Sequence, residues 1–245
     1  MGEHEMDQAA ALDKPLSVLG ISGSPRKGGN TQQLLEIALE VIGEAGINTE
    51  LVSLHGKTIG PCIACYQCRE SRIANCAVQD DFQEIFAKTC SADGLILASP
   101  VYFGSMTGAM KCLMERLGMV SEGREAVDIS MPDSRWYEAE KAPGLFARKV
   151  GASLVAARRD GTNVVHAELS LWFLINNFVI VGANYWPAVI GGTRTGGIKA
   201  GGDESANAAD LSLTKSEVEH DFEGVAATKV MASNLVWVLQ RLAAE

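Results

Sequence analysis

The sequence predicts an α/β fold in which a five-stranded parallel sheet carries helices on both faces. Short apolar runs of the strand type alternate with segments of helical periodicity along the 245 residues. Parallel neighbours need a crossover connection, which usually contains a helix. Hydrophobic residues make up 47% of the chain and charged residues 21%, a balance typical of a globular protein with a substantial core.

The first half of the chain contains three strand–loop–helix units. The apolar run 16–21 is followed by a loop rich in glycine and serine, and then by apolar residues at helical spacing from Leu34 to Ile42. A second strand is predicted at 47–54, and a short helix at 80–88 after a segment rich in cysteine. The run 94–98 is apolar enough for a strand buried on both faces, and it precedes a turn and a helix at about 106–117.

The second half completes the predicted sheet. Residues 118–144 have scattered charge, two prolines and little periodicity, so we expect an insertion or lid after the third helix. Strands at 150–156 and 179–186 alternate with helices at 164–177 and 218–242. The length fits one domain at 14–245 behind a flexible N-terminal extension at 1–13. The strand order is not fixed by the sequence.

Composition excludes several classes of partner. The net charge of −9, without a concentrated basic patch, argues against nucleic acid binding. The most apolar stretch, 169–189, is interrupted by three asparagines, a glycine and a proline, and it predicts a buried helix and strand, not a membrane span. Residues 1–13 are polar and lack the apolar run of a signal peptide, so we expect a cytoplasmic protein.

The loop between the first strand and first helix, residues 22–31, has the features of a phosphate site. Ser22, Ser24, Asn30 and Thr31 offer side-chain hydrogen bonds, and the helix that follows presents free N–H groups and the positive end of its dipole. A P-loop is excluded because Gly29 and Asn30 stand where it needs lysine and serine or threonine. The alternative of a simple strand-to-helix turn stays open.

Three segments together resemble one known family. They are GSPRKGGNT at 23–31, the cysteine run below, and SPVYFGSMTG at 99–108 with Lys111 and Arg116 downstream. They resemble the flavodoxin-like NADPH-dependent FMN reductase and iron–sulfur flavoprotein family, strongly over the first half of the chain and weakly over the rest. The resemblance implies a flavodoxin-like fold and FMN as cofactor. It places the FMN phosphate at Ser22, Ser24, Arg26, Asn30 and Thr31.

The resemblance assigns the turn after the third strand to the flavin ring. Tyr102 and Phe103 offer flat apolar surface, and Gly104 gives a ligand access to backbone N–H groups. The alternative, that both aromatic residues belong to the core, stays open. The residues assigned to the ring are Pro100, Val101, Tyr102, Phe103 and Gly104.

A third contact is expected from the loop after the fourth strand, through Ala157, Arg158 and Gly161. This loop departs from the family pattern, which has more glycine. Arg158 or Arg159 would favour a reduced, anionic flavin or bind the 2′-phosphate of NADPH. A solvated charge pair is the alternative.

Cys62, Cys65, Cys68 and Cys76 form the pattern C-x2-C-x2-C-x7-C. Two C-x2-C steps bring three thiolates together and a fourth closes a four-thiolate site for a [4Fe–4S] cluster, in a pattern similar to the compact motif of iron–sulfur flavoproteins. Zinc and isolated thiols are the alternatives. Cys90 and Cys112 fall in predicted helices and are expected to be small buried hydrophobic residues.

The sequence therefore predicts an oxidoreductase that takes electrons from NAD(P)H through FMN to a small acceptor, such as a quinone, a nitro or azo compound, a metal ion or a flavin. Flavin chemistry needs no protein acid or base, so no catalytic residue is assigned. The four histidines are expected at the surface or at helix caps: His4, His55, His166 and His220. One alternative function is an electron carrier between protein partners, and another is a scaffold without redox chemistry. The resemblance also implies a homodimer or homotetramer.

Overall fold

The computed structural model describes residues 15–70, 75–123, 144–191, 218 and 221–244. The predicted N-terminal extension and residues 124–143, most of the predicted insertion, lie outside this described part. The strands are β1 (Ser17–Ser22), β2 (Asn48–Ser53), β3 (Gly94–Pro100), β4 (Val150–Ala157), β5 (Val179–Ile180) and β6 (Ala188–Ile190). The helices are α1 (Asn30–Glu44), α2 (Gln67–Glu70), α3 (Phe82–Ser91), α4 (Gly108–Gly123), α5 (Thr162–Ile175) and α6 (Phe222–Ala243).

The strands form one parallel sheet in the order β2-β1-β3-β4-β5, and β6 also pairs with β4. This is the strand order of the flavodoxin-like fold, so the predicted fold class is confirmed. The predicted strand at 179–186 is a strand only at Val179–Ile180, and a further short strand, β6, follows it at Ala188–Ile190; the two pair with successive parts of β4. The residues between them include Gly182 and Pro187, and both residue types are poor strand formers.

Helices cover both faces of the sheet because side chains alternate along each strand. Leu19, Ile21 and Leu97 point to the face covered by α3, α4 and α5. Val18 and Ile96 point to the opposite face, which α1 and α6 cover. The two cores are therefore separated by the sheet itself, and its carboxyl edge is left for the loops.

Two elements differ from the sequence prediction. Helix α4 continues to Gly123, so residues 118–123 belong to this helix and not to the insertion. Helix α6 begins at Phe222, where Asp221 caps it by accepting a hydrogen bond from the Gly224 amide at 2.9 Å. Among the residues that the structure describes, no helix is both long enough and apolar enough to cross a membrane.

His166 is buried, which corrects the expectation of a surface or capping residue. It lies on α5, and its Nδ1 is 2.8 Å from the Ser153 hydroxyl on β4. The Trp186 ring stacks on its imidazole with centroids 5.6 Å apart. Burial lowers the pKa of His166 to about 4, against a smaller opposing effect of the Pro187 carbonyl.

We expect the free energy of unfolding to fall by about 2 kcal/mol between pH 7 and pH 5 through His166 alone. In this range the unfolded chain, with a histidine pKa of about 6.5, binds a proton that the folded protein excludes. Urea denaturation at both pH values checks this. His166→Gln should remove most of the difference, whereas the control His55→Gln at an exposed histidine should leave it. An unchanged pH dependence in His166→Gln would contradict the assignment.

Candidate functional site

Three loops meet at the carboxyl edge of the sheet because they follow the neighbouring strands β1, β3 and β4. We call residues 22–31 the first loop, residues 100–105 the second loop and residues 157–161 the third loop. The Gly23 amide donates to the Ala98 carbonyl at 2.7 Å, and the Val101 amide donates to the Ala156 carbonyl at 2.8 Å. The structure thus brings together the three segments that the sequence assigned to one ligand.

The first loop presents buried hydroxyl groups at the start of a helix. Ser22, Ser24 and Thr31 are buried, whereas Arg26 is exposed. Helix α1 begins at Asn30 behind Gly29, with no side-chain hydrogen bond capping it in the described structure. The Gln32 and Gln33 amides donate to the Gly29 carbonyl at 2.9 and 3.0 Å, and the positive end of the helix dipole faces the first loop.

Side chains that the sequence analysis did not select hold the first loop in place. The Gly28 amide donates to Gln32 Oε1 at 3.0 Å, and Gln33 Nε2 donates to the Gly28 carbonyl at 2.7 Å. His55 Nδ1 lies 2.8 Å from the Pro25 carbonyl oxygen. A glutamine in the first turn is a known capping signal, but nothing local predicts the contact of His55.

The second loop is a tight hairpin turn. Tyr102 and Ser105 exchange two backbone hydrogen bonds of 2.8 and 3.1 Å around Phe103 and Gly104, whose φ angles are 50° and 80°. Two positive φ angles are the mark of a type I′ turn. Phe103 is fully exposed and Tyr102 is 43% exposed, so neither residue belongs to the core.

Glu168 on α5 fixes this turn, although no sequence signal pointed to it. Its carboxylate accepts from the Ser105 hydroxyl at 2.8 and 3.0 Å and from the Met106 amide at 3.1 Å. Thr107, which follows the second loop by two residues, then joins this part of the chain to the first loop, since its hydroxyl donates to the Gly23 carbonyl at 2.8 Å. The two loops are parts of one hydrogen-bonded unit.

The third loop packs against the second. Ala157 is buried at the end of β4, and Arg158 is exposed. Gly161 has a φ of 85°, and a Cβ atom built on it would lie 2.9 Å from Val101 Cγ1. Glycine at this position therefore serves both the turn and the close approach of the two loops.

The model of the NADPH-dependent FMN reductase family matches residues 16–193, a range that includes all three loops and the four clustered cysteines. The chain belongs to this family. An iron–sulfur flavoprotein of Methanocaldococcus jannaschii is 38% identical over 190 residues, which is 77% of this chain and 86% of that protein. An iron–sulfur flavoprotein of Methanosarcina thermophila is 32% identical over 171 residues, 69% and 78% of the two chains.

Solved structures agree on the fold. RosB, with bound 8-demethyl-8-formylriboflavin-5′-phosphate, superposes with a TM-score of 0.62 at 18% identity, over 93% of this chain and 80% of that one. The protein is thus an FMN-dependent oxidoreductase of the FMN reductase family with a flavodoxin-like sheet.

The chemistry of the carboxyl edge fits FMN. Buried hydroxyls and the uncapped start of α1 suit a phosphate dianion, and the exposed aromatic residues of the second loop suit a flat ring. A phosphate in the first loop and a ring beside the second would lie on neighbouring strands, which matches the two ends of one mononucleotide.

We expect Phe103→Asn to weaken FMN binding about 5- to 10-fold. The free energy of unfolding should stay the same or rise by up to about 1 kcal/mol. Asparagine adopts positive φ more readily than phenylalanine but offers no aromatic face. Flavin fluorescence titration and urea denaturation measure the two effects. Phe103→Leu, which keeps the backbone strain and loses the ring, should lower affinity without the gain in stability. Unchanged affinity in both variants would contradict a role for the ring.

The cysteine segment, residues 62–76, lies between β2 and α3. Cys65 is exposed, Cys62 and Cys76 are half-buried, and Cys68 is buried, with its thiol 3.5 Å from the Met119 carbonyl on α4. Burial first, and then repulsion from Cys76 and the other two thiols, raises the pKa of Cys68.

These thiols are not drawn together as ligands. Among the described residues, no three His, Cys, Asp or Glu side chains have an arrangement that would hold a metal ion. The donor set itself, four thiols in one segment, has the chemistry that iron–sulfur clusters require. Cys90 and Cys112 are half-buried in α3 and α4, which corrects the expectation that both are buried.

Proposed function

We propose that this protein accepts hydride from NAD(P)H on FMN and passes the electrons to a small acceptor, such as a quinone, a nitro or azo compound, a metal ion or a flavin. The observation that carries the proposal is the hydrogen-bonded junction of the first and second loops at one sheet edge. Bound FMN would supply the redox chemistry, and the protein would supply position and electrostatics.

Each loop has a separate task in this proposal. The first loop binds the phosphate, the second lies along the ring and the third closes the site beside them. The proposed FMN-binding residues are Ser22, Ser24, Arg26, Asn30, Thr31, Pro100, Val101, Tyr102, Phe103, Gly104, Ala157, Arg158 and Gly161.

Arg158 is the residue of this set that we assign to the nicotinamide co-substrate. It is an exposed residue of the third loop, and a guanidinium binds a phosphate through two parallel hydrogen bonds. We therefore expect Arg158 to favour NADPH, which carries an additional phosphate, over NADH.

A second candidate function is a carrier that moves electrons between protein partners through FMN and a [4Fe–4S] cluster. The four thiols of the cysteine segment favour it, and both relatives described above carry the name iron–sulfur flavoprotein. Cys62, Cys65, Cys68 and Cys76 would hold the cluster, which would supply one-electron chemistry.

Anaerobically purified protein loaded with FMN decides between the two functions. The enzyme predicts that NADPH or NADH bleaches the flavin absorbance and that an added quinone restores it over many turnovers. The carrier predicts flavin without reaction towards either nucleotide, together with iron and sulfide that are lost when the four cysteines become serine. Protein that takes up no FMN would overturn both.

We also propose that the protein forms a homodimer or homotetramer. Helix α5 exposes three large apolar side chains, at Leu171, Leu174 and Ile175, that are each more than half accessible. Exposed apolar patches on a soluble protein commonly mark contacts between chains. Light scattering should give at least twice the mass of one chain, and a monomer would contradict the proposal.

A further inference from the structure

We propose that the buried ion pair between Arg116 and Asp80 is the positioning element of the cysteine segment. It ties the two ends of the segment together, and it holds a fixed positive charge at those ends, beside Gly60 and Val78, that offsets the charge of thiolate ligands. The charge part rests on the proposed function, since it assumes that the four cysteines hold a metal centre.

Arg116 is a fully buried residue of α4, and its side chain contacts the residues on either side of the cysteine segment. Its Nη1 donates to both carboxylate oxygens of Asp80, at 2.9 and 2.6 Å, and to the Gly60 carbonyl at 3.3 Å. Its Nη2 donates to the Val78 carbonyl at 2.7 Å. The guanidinium also lies over the Phe82 ring, 4.2 Å from the centroid.

These contacts join the chain just before the segment to the chain just after it. Asp80 accepts from the Gly60 amide at 2.9 Å and from the Phe82 amide at 3.0 Å, while Arg116 bonds the carbonyls of Gly60 and Val78. Residue 60 and residues 78–82 are thereby fixed to one another through two charged side chains. We call the Arg116–Asp80 pair the clamp. The four cysteines lie between the two parts of the chain that the clamp joins.

The guanidinium also places its charge at both ends of the cysteine segment, because it bonds the carbonyls of Gly60 and Val78. Its Nε is buried and has no hydrogen-bond partner among the described residues, so one donor of the buried group remains unused. A nearby donor and a positive charge both stabilise the more negative, reduced form of a thiolate-bound cluster.

Stability alone is a weak explanation for this arrangement. A buried ion pair is often no more stable than an apolar pair of similar volume, because both charges lose their hydration. A pair of charged groups does provide what an apolar pair lacks, a fixed charge at the ends of the cysteine segment. The arrangement therefore suits a segment that gathers anionic ligands.

The first arm of the test uses metal-free protein and does not depend on the proposed function. Alkylation of Cys76 and Cys68, followed by mass spectrometry, reports how well the segment is closed. Arg116→Lys keeps the charge but loses the two guanidinium nitrogens that bond Asp80 and Val78. This variant and Asp80→Asn should each raise the alkylation rate by about 10-fold or more. Lys111→Met, at an exposed cation on the same helix, is the matched control and should leave the rate unchanged.

The second arm uses metal-loaded protein and compares Arg116→Lys with Arg116→Met. Both variants should lose part of the iron and sulfide bound per chain. The reduction potential of the centre should shift to lower values in Arg116→Met and stay closer to that of the unchanged protein in Arg116→Lys, because only the latter keeps the charge. A merely structural role would lower metal content in both without separating their potentials.

The outcomes are separable. Unchanged alkylation in Arg116→Lys and Asp80→Asn overturns the clamp. Equal reduction potentials in Arg116→Lys and Arg116→Met overturn the role of the charge. If Arg116→Met does not fold, Asp80→Asn replaces it, because this variant removes the negative charge that neutralises Arg116. An unshifted potential in Asp80→Asn then overturns the role of the charge. Unchanged protein that binds no iron refutes the cluster and with it the charge part, while the alkylation arm still decides the clamp.

Discussion

Replacing Ser24 with aspartate is expected to weaken FMN binding at least about 100-fold. Ser24 is 4% exposed, so a carboxylate here would face the proposed phosphate with little water between them. Two unit charges about 4 Å apart repel by about 4 kcal/mol at an effective dielectric constant of about 20, which corresponds to roughly a 1,000-fold change in affinity. The phosphate of FMN carries between one and two negative charges at neutral pH, so the repulsion is at least that between two unit charges.

Ser24→Asn is the matched control, because asparagine has the shape of aspartate without its charge. It should bind FMN within about 10-fold of the unchanged protein, since an amide still donates a hydrogen bond to phosphate. Fluorescence titration with FMN measures both, and circular dichroism checks that both variants fold. Equal affinities of the two variants would show that the first loop does not hold the phosphate.

Gly224→Ala is expected to destabilise the fold by about 3 kcal/mol or more, the upper part of the range for overpacking. Gly224 lies in the first turn of α6, where the helix crosses β6. An alanine Cβ would overlap the carbonyl oxygen of Ala188 and come within 3.0 Å of its carbonyl carbon. Both contacts are with backbone, so the helix or the strand has to move.

The consequence should reach the third loop, because β6 pairs with residues 155–157 at the end of β4. Urea denaturation gives the loss of stability, and FMN titration gives the effect on the site. Gly108→Ala, also near the start of a long helix, meets no atom within 4 Å and is expected to change stability by less than about 1 kcal/mol. Similar stability of the two alanine variants would contradict the close packing of α6 on β6.

The first loop could be predicted from the sequence because its polar residues are neighbours along the chain. The first loop combines Ser22, Ser24, Asn30 and Thr31 within ten residues, so its donors are visible as a run. The residues that brace the loops come from far along the chain. His55 is 30 positions from Pro25, and Glu168 is 63 positions from Ser105. Such contacts have no local pattern.

The burial of two titratable residues, His166 and Arg116, was not predicted from the sequence. His166 has no neighbours in sequence that mark it as buried, and only the packing of α5 on β4 beneath Trp186 excludes water from it. Arg116 was visible only as part of a family resemblance, and its burial depends on a carboxylate 36 positions away. Charged and titratable residues are mostly exposed, so their burial is rarely predicted from sequence.

The sequence by itself determined the alternation of strands and helices, the phosphate-type loop and the four-cysteine segment, because each depends on neighbours within a few residues. The tertiary structure decided the strand order, the short extent of the fifth strand, the additional strand β6 and the convergence of the three loops at one edge. It also decided the clamp of Arg116 on the cysteine segment. These features depend on which strands pair and which helix covers them, and such pairing is settled by the packing of the whole core.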